Sequence, residues 1–429
     1  MNLILLTVDC LRADRLSCMG YSKITTPHID SLARSGLLFK QAITLSSWTP
    51  SSFMALFTSS YPLMQKGKLG IPGKLRTIPE LVKTGGYNTA GFHSNPWLAA
   101  KFGYSRGFDI FDDSLQENLE HEPYGRAETL HYKALNYIKD LAGDFFLWLH
   151  YMDMHEPYLP VRQSTANEQV QFLTKLNRRA FAEQQKITHD EARILLELYD
   201  EKILYLDQEI GRFLAQLDEL HIRNSTTFIV TADHGQMFND HGLFGHGTQL
   251  YEELIHVPLI ITGPGIRKQC VKRVVSMIDL APTILDILGV DAPTTFLGSS
   301  LLPSIKKYYF IPPLWEALSE TDSIDKYARQ SDPELDVSKR QISVRTDKWK
   351  YIYTEGQEGE LYYLKDDYGE AVNLIRRRPD IAAKLCSRIM AHITFEEIVT
   401  EEETEEGQAF TMEDEEKVKQ RLRSLGYLK

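Results

Sequence analysis

Cysteine is scarce in this chain: the four present among 429 residues (Cys10, Cys18, Cys270, Cys386) are scattered and form no CxxC pair. That excludes a disulfide framework or a cysteine-built zinc module as the source of stability. Long apolar runs are missing as well. No stretch approaches the roughly 18 apolar residues of a spanning helix, so no membrane partner is expected. Cations are not in excess: 48 Lys and Arg against 59 Asp and Glu leave a net charge of −11, which argues against a nucleic-acid binder. An anionic substrate stays open, because a bound metal can dominate the field of its own site. No basic stretch or small-residue cleavage site precedes the first apolar run, and a cytoplasmic location is the expectation. No internal repeat appears, and nothing in the sequence fixes the oligomeric state.

What the chain does have is 43% hydrophobic residues, ample for a large core, and apolar runs that end on metal-type residues. Asn2–Val8 leads into Asp9, Phe145–Tyr151 leads to Asp153 and His155, and Phe228–Thr231 leads through Ala232 into Asp233 and His234. Runs this rich in Val, Ile, Leu and Phe read as buried strands of a parallel sheet, whose carboxyl ends are where such sheets bind ligands. Helical stretches at Ile29–Ser35, Ser51–Thr58, Ile78–Thr84, Ala127–Leu141 and Asp190–Leu220 alternate with them, followed by a strand at Val257–Thr262 and a helix over Asp279–Gly289. The pattern predicts a doubly wound α/β domain over residues 1–303. Past it, Ile342–Thr346, Trp349–Tyr353 and Glu360–Leu364 predict a small antiparallel sheet, with a helix over Asp380–Thr394. Residues 304–429 are thus expected to form a smaller α+β subdomain, with acidic Glu396–Glu406 as a solvated linker and Glu415–Leu425 as a terminal helix.

The segment Ser46–Ser59 carries a second signal, since Thr49 precedes Pro50 and a helical pattern follows. Thr at the cap with Pro in the first turn is a favoured helix start. The open amides of that turn, with the helix dipole, favour an anion. A hydroxyl placed there beside a divalent cation could attack phosphorus or sulfur. Taken alone, Thr49 reads more readily as a simple helix cap than as a nucleophile.

Taken together, these segments resemble the sulfatase family of the alkaline phosphatase superfamily, over nearly the whole chain. Val8–Asp14 with Thr26–Ala33 looks like the family's amino-terminal signature, and Thr49–Ser52 sits at its nucleophile motif. Gly107–Asp109, His155–Tyr158, Thr231–Gly235, Gly245–Gly247, Tyr251–Glu253, Val257–Pro258 and Asp279–Thr283 follow in order, with Glu360–Tyr362 and Arg421–Tyr427 resembling its closing subdomain. The resemblance implies an alkaline-phosphatase-like, mostly parallel sheet flanked by helices. It implies Asp9, Asp233 and His234 as metal ligands with the Thr49 oxygen, and His155 and His246 as groups acting on the ester's oxygens and leaving group. It also places Asn95 near a substrate-contacting segment, with Asp153 as a further candidate substrate contact. The implied cofactor is one divalent ion, Ca²⁺ by family default. The oxygen-rich donor set also suits Mn²⁺ or Mg²⁺, with Zn²⁺ open.

Three departures from the family pattern matter. Cys10 stands where a second acidic ligand is usual, and Ser52 or Phe53 stands where the family carries Arg. Most consequentially, Thr49 stands where Cys or Ser is oxidised to formylglycine. Threonine cannot become an aldehyde, because its β-carbon already bears a methyl group. Anchoring the motif on Pro50 would instead put Trp48 at that position and leave Ser47 as the fallback hydroxyl. The leading expectation is a metal-dependent hydrolase or transferase acting on a small phosphate ester or diester by in-line attack of Thr49, as in threonine-nucleophile branches of the superfamily. The alternatives are a sulfuric ester hydrolase and a non-catalytic sulfatase-like binding protein.

Overall fold

The computed structural model describes residues 1–65, 70–114, 125–161, 167–302, 316–321 and 339–401. The expected domain boundary near residue 303, the acidic residues beyond Glu401, and the segments Glu415–Leu425 and Arg421–Tyr427 lie outside them. The strands of the main sheet are β1 (Asn2–Val8), β2 (Leu37–Ile43), β3 (Asn88–His93), β4 (Ile110–Asp112), β5 (Phe145–Tyr151), β6 (Thr226–Ala232), β9 (His256–Thr262) and β10 (Gln269–Ser276), and β7 (Met237–Asp240) pairs with β8 (Leu243–Gly245) as a ribbon. Their order is β10-β2-β9-β6-β1-β5-β3-β4. Every neighbouring pair is parallel except those made by β9, which runs against both β2 and β6. Strands β1, β5 and β6 are buried along their whole length, as continuous apolar runs require when both faces of a parallel sheet are covered.

The helices are α1 (Pro27–Ser35), α2 (Thr49–Thr58), α3 (Ile78–Thr84), α4 (Ala127–Lys139), α5 (Asn167–Asn177), α6 (His189–Glu219), α7 (Glu252–Ile255), α8 (Leu280–Leu288) and α9 (Pro379–Glu401). Local chemistry accounts for several of their ends. Capping boxes start α3 (Thr77 with Glu80) and α6 (Thr188 with Glu191). Gly289, at φ 70°, ends α8 in the left-handed conformation that a residue without Cβ adopts freely. Asp207 of α6 accepts from the first-turn amides of His28 (3.0 Å) and Ile29 (2.8 Å), tying α1 to the long helix.

A second, antiparallel sheet orders β11 (Glu316–Thr321), β12 (Gln341–Thr346), β13 (Trp349–Thr354) and β14 (Glu360–Tyr363), and α9 packs on β12 and β13. The fold is therefore mixed α/β, with a large, mostly parallel sheet flanked by helices and a C-terminal antiparallel subdomain. The subdomain meets the large sheet through buried charge: Lys350 Nζ lies 3.3 Å from Glu252 and 2.9 Å from Glu370, and Arg345 lies 3.3 Å from Glu252. Edge strand β11 also joins the loop after β2, where Glu320 N donates to Leu45 O (2.7 Å) and Ser319 Oγ donates to Thr44 O (2.6 Å).

Two expectations are corrected here. The helix predicted to stop near Thr394 continues to Glu401, and Glu396 is not part of a solvated linker. Its side chain is buried and paired with Arg340 and His392, so its charge is held by partners instead of by water. Among the described residues, no helix is long and apolar enough to cross a membrane.

Candidate active site

Strand register brings the site together. Val8 lies level with Tyr151 on one side and Ala232 on the other, so the residues that follow these strands emerge on one sheet edge. Asp9, Asp233 and His234 are all buried there, with ligand atoms within 4.8 Å of one another. His234 Nε2 lies 3.4 Å from Asp233 Oδ2 and 3.9 Å from Asp9 Oδ1. Its Nδ1 donates to the carbonyl of Gly235 at 2.9 Å, which leaves Nε2 facing the carboxylates. Gly235 itself cannot be larger, because a Cβ there would sit 1.9 Å from the carbonyl oxygen of Glu253.

Thr49 lies with this group, but not as the helix cap that its sequence context suggests. Helix α2 begins at Thr49 with Trp48 in the capping position and Pro50 second, and Thr49 is thus a first-turn residue, not the cap. Its hydroxyl makes no capping bond. It lies 3.1 Å from His234 Nε2 and 3.5 Å from Asp9 Oδ2. Ser47 is buried too, but its hydroxyl has no hydrogen-bond partner among the described residues.

Neighbours fix Asp9. Asn95 Nδ2 donates to Asp9 Oδ2 at 2.9 Å and also approaches Met152 Sδ (3.3 Å), while Asn95 Oδ1 accepts from Trp97 N. The amide therefore orients a carboxylate, and only the weak sulfur contact is open to displacement by a substrate oxygen. His150 Nε2 lies 3.5 Å from the same carboxylate oxygen, and its Nδ1 lies 3.1 Å from Thr7 Oγ1. Burial opposes charge on Asp9, but the His150 contact and the fields of His234, His155 and His150 outweigh it and hold the carboxyl well below its usual range. Asp233 moves the other way, raised by burial and by the charge of Asp9. Asp153 is engaged elsewhere: its carboxylate accepts from Ala127 N (3.3 Å) at the start of α4.

His155 and His246 form the opposite flank, their ring centroids 5.4 Å apart, with His246 stacked on His234 at 4.4 Å. Gln236 Nε2 donates to Glu156 Oε2 (3.0 Å), which turns Gln236 Oε1 toward His246 Nδ1 at 2.7 Å. His155 Nδ1 donates to Glu156 O at 3.0 Å. Cys10, at φ 59°, places Sγ 2.9 Å from Asp9 Oδ1 and 3.6 Å from His246 Nδ1. His241, by contrast, stacks on Tyr251 and pairs with Glu253 (3.5 Å). Sequence reasoning missed Glu156, Gln236 and the supporting role of His150, and treated Cys10 only as a lost ligand. Adjacency was the available signal, since Glu156 follows His155 and Gln236 follows Asp233–Gly235.

The donor set fits a divalent cation. Asp233 Oδ2 is buried and accepts no hydrogen bond among the described residues, and it stands beside a second buried carboxylate. Such an arrangement is costly unless positive charge joins it. Asp9, Asp233, His234 and Thr49 would hold that ion.

Comparison with known proteins agrees with this architecture. The sulfatase family model matches residues 1–290, and the model of the N-sulphoglucosamine sulphohydrolase C-terminal region matches residues 239–394. The chain belongs to the sulfatase family. It is 30% identical to arylsulfatase K of Bos taurus over 224 residues, which is 50% of this chain and 39% of that protein. The chain thus spans about two-fifths of the length of that relative. N-acetylglucosamine-6-O-sulfatase of Bacteroides thetaiotaomicron is 23% identical over 87% of this chain and 82% of its own. Among solved structures, a 2-O GAG sulfatase aligns with TM-score 0.77 at 19% identity, covering 95% of each chain. The phosphonate monoester hydrolase of Agrobacterium radiobacter aligns with TM-score 0.73 at 18% identity, covering 92% of this chain and 96% of its own. These likenesses share the fold.

Proposed function

We propose that this protein is a metal-dependent ester hydrolase or transferase that cleaves a small phosphate ester or diester by in-line attack of Thr49. The observation that carries this reading is the position of the Thr49 hydroxyl, buried in the first turn of α2 and 3.1 Å from His234 Nε2. A cation held by Asp9, Asp233 and His234 would make the Thr49 hydroxyl more acidic and offset charge on the ester. The positive end of the α2 dipole favours the same alkoxide. Asn95 and His150 hold Asp9 in place, and His155 and His246 stabilise the ester's oxygens and the departing group. Threonine cannot supply the aldehyde hydrate that expels sulfate from a formylglycine enzyme. A phosphoryl–threonine ester, in contrast, can be resolved by water or another alcohol.

A second reading, hydrolysis of a sulfuric ester by the plain Thr49 alkoxide, is favoured by the family models and by relatives named as sulfatases. The fold shared with a phosphonate monoester hydrolase supports phosphorus as the alternative centre. A panel of aryl sulfate, phosphate monoester, phosphate diester and phosphonate ester substrates, each assayed with Ca²⁺, Mg²⁺, Mn²⁺ and Zn²⁺, separates the two. We expect the phosphorus esters to turn over fastest. A clear preference for sulfate with Thr49 unmodified and essential would replace this reading with the second.

A further inference from the structure

We propose that Ser319, on the edge strand of the C-terminal subdomain, acts through Thr44 as a positioning residue for the adjacent metal ligands Asp233 and His234. This deepens the proposed function and rests on it in taking those two residues as ligands of the divalent ion.

The Asp233–His234 peptide is where a small displacement matters most. It joins two of the ligating residues, so a turn of its plane moves both side chains relative to Asp9 and Thr49. The carbonyl of that peptide, Asp233 O, accepts from Thr44 Oγ1 at 2.6 Å. A hydroxyl has a single proton to donate. Thr44 Oγ1 lies farther from Ser52 Oγ, at 3.4 Å, and Ser52 donates its own proton to Ser46 O at 2.7 Å. The Thr44 proton therefore belongs to Asp233.

Thr44 is in turn held on both sides of its backbone. Its N–H donates to Ile255 O of α7 (2.9 Å), and its carbonyl accepts from Ser319 Oγ (2.6 Å). The preceding carbonyl of α7, Leu254 O, accepts from Gly235 N at 2.8 Å and so holds the other end of the ligand segment. Ser319 and Thr44 are 0% and 2% exposed, so water does not replace either bond when its partner is removed.

The same strand meets the pocket twice more. Side chains alternate along a strand. Ser319 and Thr321 thus share one face of β11, while Glu320 turns to His392 on the other. Glu320 N donates to Leu45 O at 2.7 Å, on the segment that leads to Thr49. Thr321 Oγ1 donates to Gly247 O at 2.8 Å, next to His246. Three consecutive residues of the subdomain reach the stretches that carry Thr49, the two metal ligands and His246. Cohesion alone needs no such aim, since the buried ion pairs around Glu252 already join the subdomain to the large sheet.

Calorimetric titration of the full chain with Mn²⁺ and with Ca²⁺ tests this through affinity instead of turnover. Ser319→Ala and Thr44→Val should each weaken binding about 10-fold or more, as loss of a group that orients a metal ligand does. Thr44→Ser keeps the hydroxyl and should restore the affinity. Adding Ser319→Ala to Thr44→Val should cost little more, because the serine acts through the threonine. Unchanged affinity in either single variant, no recovery in Thr44→Ser, or losses that add fully in the double variant would overturn the proposal. A residue that only fastens the subdomain would lower the melting temperature and leave the affinity of the folded protein alone. Should Thr44→Val fail to fold, the affinity of Ser319→Ala decides by itself. Absence of ion binding in the unaltered protein would overturn the metal-dependent reading and this inference with it. A preference for sulfate over phosphorus esters would change the reading of the substrate and leave the affinities as predicted.

Discussion

Thr49 shows how far a single side chain can be read before folding. The Thr-Pro pair marks a helix start, and α2 does start there, but one residue earlier than the pattern suggests. That shift releases the hydroxyl from capping and turns it to His234. Thr49→Ala should therefore remove at least about 10³-fold of kcat. It should cost less stability than the roughly 0.5–2 kcal/mol of a lost cap. Initial rates and a thermal melt of the same preparation check both halves, and wild-type turnover would move the nucleophile to Ser47. The histidines make a separate prediction. Replacing His155 or His246 by Ala should slow alkyl esters about 10²-fold or more, and activated aryl esters much less, because an activated leaving group needs little help in departing. Equal losses on both would mean that the pair acts on the non-bridging oxygens alone.

At the level of elements, the site depends on the parallel register of β1, β5 and β6 and on the loops that follow them. Those loops are braced from the subdomain. Glu252 in α7 is separated from Gly235 only by Glu253 and Leu254 of the same helix, since Gly235 N donates to Leu254 O (2.8 Å) and Gly235 packs on the Glu253 carbonyl. Lys350 of β13 is fully buried between Glu252 and Glu370. Burial opposes charge on Glu252, yet Arg345 and Lys350 hold it down to about 2, whereas burial pushes Glu370 up to about 7. Removing one partner of such a group leaves carboxylate charge buried without compensation. Lys350→Met should accordingly cost about 3–5 kcal/mol in urea unfolding at neutral pH. A loss below about 1 kcal/mol would show that the network tolerates an apolar replacement.

Across the whole molecule, the subdomain is attached to the large sheet by ionisable groups whose state changes with pH. His392 of α9 contacts Glu320 of β11 and Glu396, and stacks edge-on against Tyr61; Glu320 in turn accepts from Leu63 N at 3.0 Å. Burial alone would lower the imidazole, but the contacts with Glu320 and Glu396 raise it from 6.5 to about 9. A folded-state value above the unfolded one means that the folded protein binds this proton more tightly. The resulting stability is fully present below about 6.5 and lost as pH rises through about 9. Melting temperature should fall between about pH 6 and pH 10, and His392→Gln should flatten that fall. An unchanged slope in the variant would place the alkaline loss in other groups.

The sequence by itself determined the class of fold, the strands that end on Asp9, Asp233 and His234, and the residues from which a hydrolytic metal site could be assembled. These were legible because continuous apolar runs, capping residues and glycine turns act locally, and because the residue types needed for metal chemistry are few. The tertiary structure decided the rest. Only pairing across distant strands could set Val8 level with Ala232, reverse β9 between its neighbours, turn the Asp153 carboxylate to the start of α4, and bury Glu396 in an ion pair instead of leaving it to water. Likewise, only the assembled pocket shows Cys10 beside His246 and the Gln236–Glu156 bond that orients it. Those relations depend on which side chains share a volume, and that volume exists only once elements far apart in sequence have packed.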